Sequence, residues 1–224
     1  MTRQSVQPRQ WALLGIVFSL CTLVTYLLPT QVPLPIHLTY LLFMAFGPFF
    51  SAAILSIYHY MKPEGDSPWL TIGTVWLIIG GALNTMMAAM QGALRMYMFD
   101  LERDEAMAKV AWKMGLHAGN AIQLGADVAW DYFVLPGLIL WGVAFLSHQR
   151  FGKWFGWPAI IIGTGGMVLN CWTFPTPPGN AGLFDGGPLV GIWFGVITIQ
   201  LLRHYIKMPK TAVASSTIAS ALHG

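Results

Sequence analysis

Six apolar runs, each close to the length of a bilayer-crossing helix, constrain this chain more than any other feature. They cover roughly residues 11 to 29, 36 to 60, 68 to 97, 116 to 146, 154 to 174 and 188 to 205, where a spanning helix needs roughly 20 apolar residues. Backbone polar groups find no water in the hydrocarbon core, so a segment of this kind satisfies them by forming a helix. The sequence therefore predicts an all-α integral membrane protein, a bundle of six transmembrane helices. Composition agrees, because only 9% of the 224 residues are charged against about a quarter in soluble domains. A chain this short has too little interior to hide its 55% of hydrophobic residues from water.

Turn-forming residues mark most of the joints: Pro29, Pro33 and Pro35, then Pro63 and Gly65, then the stretch from Pro175 to Gly187. Arg3 and Arg9 precede the first run as in a secretory signal. The run from Trp11 to Leu28 is nevertheless longer than a signal's apolar region and lacks a small-x-small cleavage site before Pro29, so it reads as a retained span.

Orientation follows from the basic residues on alternate sides. One side receives Arg3, Arg9, Lys62, Arg150, Lys153, Arg203, Lys207 and Lys210, and the other only Arg95, Arg103, Lys109 and Lys113. The richer side is cytoplasmic by the positive-inside rule, which predicts both termini inside. The expected organisation is a cytoplasmic N-terminus at 1–10, a membrane domain at 11–205 with an outer loop at 175–187, and a cytoplasmic tail at 206–224. The net charge of +3 is spread thinly and reports orientation, so no nucleic-acid partner is expected. The expected location is a plasma membrane or a bacterial inner membrane, with lipids as partners and either a larger membrane complex or a homo-oligomer as the assembly.

Between the third and fourth runs lies a charged stretch, at about 100–114. Met107, Val110, Ala111 and Met114 share one helical face, and Glu105 and Lys109 form an i,i+4 pair on another. Two arrangements fit: an amphipathic helix on the outer membrane surface, or an extension of the neighbouring spans into water.

The most informative residues are in the fourth run. His117, Asn120, Gln123, Asp127 and Asp131 recur at intervals of three or four, which puts them on one helix face. Each carboxylate inside a span costs roughly 2.5 to 3.5 kcal/mol on insertion scales, and such groups face a protein interior or a water-filled cavity. The third run supplies a facing stripe of Asn84, Gln91 and Arg95. If the two runs are antiparallel and turn near Met98 and Gly115, positions whose numbers sum to about 213 or 214 lie side by side. That register sets Arg95 beside His117 and Asn120, Gln91 beside Gln123, and Asn84 near Asp131. Asp127 and Asp131 are one turn apart and repel if both are ionised, so one is expected to hold a proton. A purely structural reading is a polar seam between two helices, with Gly119, Gly125 and Ala126 allowing close approach.

Other chemistry is weakly marked. His37 and His117 lie near the outer ends of their runs and are the one pair that suggests haem, but without ligand spacing no haem is expected. His59, His148 and His204 share a depth at the inner surface, where histidine is common as an amphipathic tip. Cys21 and Cys171 sit in separate apolar runs and suggest neither zinc nor a disulfide framework. Met86, Met87, Met90, Met96 and Met98 are distributed around the helix, which suits flexible packing better than a copper path. No phosphate loop, nucleophile elbow or Cys-x-x-Cys pair is present, so no catalytic residue is assigned.

Two functions fit these observations. In the first, the third and fourth helices enclose a polar site that binds or passes a small solute, coupled to protons, with Asp127 and Asp131 titrating and Arg95 as charge partner or anion anchor. In the second, the protein is a non-catalytic accessory subunit whose aromatic and Met-rich faces meet partner helices, lipids or pigments.

Overall fold

The computed structural model describes residues 8–101, 107–173 and 187–208. These form six α-helices: α1 (Pro8–Gln31), α2 (Ile36–Met61), α3 (Pro68–Leu101), α4 (Met107–Leu146), α5 (Lys153–Thr173) and α6 (Gly187–Lys207), with one 3-10 turn at Lys62–Glu64. No strand occurs among the described residues. All but α5 contain a stretch long and apolar enough to cross a membrane. Most of the loop expected at 175–187 and of the tail expected at 206–224 lies outside the described residues. Of the charged segment at about 100–114, the described parts belong to α3 and α4 themselves, with Val110 and Met114 exposed.

The helices run alternately up and down and neighbour one another in chain order, with α6 returning to pack on α1. We call lower the end that carries the start of α1, the α2–α3 and α4–α5 turns and the end of α6. Antiparallel pairing is visible at both ends of each seam. Trp11 stacks on His59 and Tyr26 meets Phe46 across α1 and α2. Likewise, Tyr58 bonds Thr71 while Gly92 backs onto Tyr40 across α2 and α3.

Lipid is as apolar as leucine, so helices in a bilayer associate through close packing rather than the hydrophobic effect. Glycine supplies that closeness at three crossings: Gly47 against Gly81, Gly73 against Gly137, and Gly142 against Gly156. At each, a methyl group built on one glycine would press on the carbonyl oxygen of the other. Pro48 lies inside α2 and has no N–H to give to the Met44 carbonyl. Thr85 of α3 donates to that carbonyl instead, at 3.2 Å, so the proline's lost bond becomes a bond between helices.

The centre of the lower half is filled by large side chains. Trp141 and Phe145 of α4, Ile54, Ile57 and Tyr60 of α2 and Ile197 of α6 are almost wholly buried. Trp141 satisfies its indole N–H on Thr74 Oγ1 at 3.0 Å, which lets the ring sit in a dry interior.

Candidate functional site

On α4 one stripe changes character half-way along. Val134, Leu138, Trp141 and Phe145 are each at most 2% exposed and point into the bundle centre. Continued upward at the same spacing of three and four, that stripe reads Asp131, Asp127, Gln123 and Asn120. The polar residues therefore face the same interior as the core, with the dry part beginning three residues beyond Asp131. Gln123, Asp127 and Asp131 are half-buried, whereas His117 is exposed. Asn120 belongs to α4, but its side chain lies outside the described set.

The facing helix has the register expected from sequence. Gly80 backs onto Val134 and Gly119 onto Leu94, positions summing to 214 and 213. Asn84 and Gln91 are half-buried on α3, and Arg95 is exposed near its upper end. In this register Arg95 is at the depth of His117 to Gly119, about 12 Å above Asp127 along the helix. Gly125, expected to ease helix contact, faces open space, while Gly119 does pack closely.

A third helix, α5, also contributes to the site, which the polar stripes of α3 and α4 do not indicate. Asn170, 8% exposed, donates from Nδ2 to Asp131 Oδ2 at 2.8 Å, and its neighbour Cys171 lies 3.6 Å from the Tyr132 hydroxyl. The small residues Gly156, Gly163 and Gly166 let α5 approach α4 closely enough for this. The signal was present as one amide in an otherwise apolar run.

Two further groups add to the site's chemistry. Pro136 has no N–H for the Tyr132 carbonyl, so that oxygen loses its helical donor one residue from Asp131. The indole Nε1 of Trp130 is buried without a hydrogen-bond partner among the described residues. Two carboxyls and a carbonyl suit a proton, a small cation or a donor-bearing solute, whereas the indole N–H donates only to an acceptor. His37 and His117 are both exposed, on α2 and α4. No three metal-ligating side chains converge among the described residues.

A second polar cluster occupies the lower end, where sequence showed only histidines at a shared depth. Arg150, in the α4–α5 turn, forms an ion pair with Glu64, stacks 4.2 Å over the Tyr60 ring and donates to the Tyr60 carbonyl. The Tyr60 hydroxyl bonds His204 Nδ1 at 3.0 Å, and Gln200 reaches both His204 Nε2 at 2.9 Å and the Arg150 carbonyl at 3.3 Å. His148 pairs with the Met61 carbonyl through Nε2 while Nδ1 accepts from the Arg150 backbone N–H. Those two bonds fix the tautomer with the proton on Nε2. His59 stands apart, stacked on Trp11.

No family model matches the chain, and no curated protein or solved structure matches it.

Proposed function

We propose that this is a six-span membrane protein, with both termini cytoplasmic, that binds or passes a small solute through the polar upper half of its interior, coupled to protons at Asp127 and Asp131. The observation that carries this reading is the position of Asp131. It shares the core-facing stripe of α4, lies about 22 Å above Leu146 along the helix, and is held by a buried amide from α5. A carboxyl at that depth is too far from either end for snorkelling to relieve its charge, and groups of this kind mark solute and proton paths. The acceptor-rich surroundings favour a cationic or donor-bearing solute. Arg95, exposed near the upper end, is then a residue of the entrance.

Five helices are long and apolar enough to cross, and topology supports a sixth crossing. α4 and α6 both run downward, so the chain returns upward through α5. The eight-to-four basic count puts the lower end inside. In a variant freed of Cys21 and Cys171, a cysteine at Asp104 should react with an impermeant reagent from outside and one at Lys153 only from inside. Labelling of both from the same side contradicts the topology.

The function itself is tested with the proton as probe. In proteoliposomes loaded with a pH-sensitive dye, the wild type should pass protons down an imposed gradient on the order of 10²-fold faster than Asp131→Asn, the lower end of what one positioned proton-transfer group contributes. Equal rates would remove the proton-coupled reading.

The accessory-subunit reading is favoured by the outer face of α5. Trp154, Trp157, Ile161, Val168 and Trp172 form an exposed stripe opposite α4, and Gly165 within it has nothing within 4 Å. Co-purification of a stoichiometric partner from native membranes, lost in Gly165→Leu, would support that role.

A further inference from the structure

The seam between α5 and α6 differs from every other in the ring. Four seams are closely packed, three of them by facing glycines, whereas α1 and α6 meet more sparsely and α5 and α6 most sparsely of all. What joins them lies toward the lower end of α5: Trp193 donates to the Phe155 carbonyl at 3.0 Å, and Gln200 donates to the Arg150 carbonyl. Among the described residues, no hydrogen bond or ring contact joins α5 to α6 above that point, and the two helices share the sparsest packing of any neighbouring pair. The ring is thus a wrapped sheet of helices whose two edges meet at one end.

That end is where Arg150 sits. Its side chain grips the end of α2 through Glu64 and Tyr60, Tyr60 passes the connection to His204 of α6, and Gln200 returns it to the Arg150 carbonyl. The bonds close a circuit through three parts of the chain that are remote in sequence. The Arg150 and Glu64 side chains are 22% and 27% exposed, so the pair is partly shielded and yet within reach of water. Hydrogen-bond and salt-bridge networks of this kind have two discrete arrangements, made and broken.

We propose that the circuit centred on Arg150 is a latch that holds the α5–α6 seam shut at the lower end and so closes the polar interior from the cytoplasmic side. The inference rests on the reading of that interior as a solute path. With the latch made, the site around Asp131 opens only upward, above the dry core. With it broken, α5 can swing from α6 about the glycine-packed α4–α5 seam and open a way down.

Spin labels at Lys153→Cys and Lys207→Cys, on the exposed lower ends of α5 and α6 in a variant freed of Cys21 and Cys171, report this movement directly. In the wild type one short distance should dominate the double electron–electron resonance distribution. Glu64→Gln and, separately, Arg150→Gln should each raise a longer population roughly tenfold, because each removes the ion pair that biases the closed state. Tyr60→Phe, which loses only the His204 bond, should raise it less. An unchanged distribution in both ion-pair variants, with helical content and monodispersity retained, would overturn the latch. That outcome is separable from failure of the solute reading, which is judged by proton flow in Asp131→Asn with the latch residues intact.

Discussion

Asp131→Asn is expected to insert, fold and purify like its parent while losing proton-linked activity. Asparagine has nearly the shape of aspartate and keeps an oxygen to accept from Asn170 Nδ2. Interhelical hydrogen bonds in membranes contribute about 0.6 kcal/mol on average, so weakening this one has a small effect. Removing a carboxylate from mid-membrane relieves part of the roughly 2.5 to 3.5 kcal/mol that a charged residue costs on insertion. The melting temperature should accordingly stay level or rise. Titration, however, disappears, and with it proton flow through this residue. Asp131→Leu separates shape from hydrogen bonding, because it removes the Asp131 oxygen that the buried Asn170 amide donates to, and loss of a buried bond of this kind costs about 1 kcal/mol or more. That variant should be inactive and less stable than Asp131→Asn. Asp127→Asn, one turn higher, serves as control. If proton flow and its pH profile are unchanged in Asp131→Asn, the residue is interhelical glue and the structural reading of the seam stands.

A large loss of stability is expected at Gly156. A methyl group there would lie 2.6 Å from the Gly142 carbonyl oxygen and 3.0 Å from the Leu146 backbone nitrogen. Both are main-chain atoms of α4 and cannot rotate away as a side-chain tip can. Overpacking a well-fitted interior costs about 1 to 3 kcal/mol, and Gly156→Leu adds three further carbons to the clash. The variant should therefore melt well below the wild type or fail to fold, and the Asn170–Asp131 bond should be lost with the α4–α5 seam. Gly165 provides the comparison. It lies on the same helix with nothing within 4 Å, so Gly165→Leu should change the stability of the isolated protein by no more than about 0.5 kcal/mol, as surface substitutions do. Equal damage from the two substitutions would show that close approach to α4 is not what the glycine at 156 provides, because helix propensity favours leucine over glycine at both positions.

Much of the fold was legible in the order of the residues. The apolar runs predicted helices whose ends agree with the observed ones to within a few residues, except at the charged segment, where α3 and α4 continue to Leu101 and from Met107. Hydropathy marks where a helix may lie in lipid but says little about where it stops in water. The α3–α4 register was also readable, because two polar stripes and a short turn leave few ways to align an antiparallel pair. The α5 contribution was not readable. Asn170 stands 39 residues from Asp131, and nothing in its own run shows which way the face around Gly163 points. The latch was hidden for a similar reason. Tyr60, Arg150 and His204 are each common types at a helix end, and only closure of the ring by α6 on α1 and α2 brings them together.

The proposed proton coupling requires a carboxyl on the core-facing stripe of α4 to titrate inside the protein. Infrared difference spectra of the reconstituted protein, recorded between acidic and alkaline pH, test it without knowledge of the solute. The protonated-carboxyl stretch should rise on acidification in the wild type, shift in frequency in Asn170→Ala as its amide donor is removed, and lose one component in Asp131→Asn. A wild-type spectrum identical to that of Asp131→Asn throughout the range would contradict the claim.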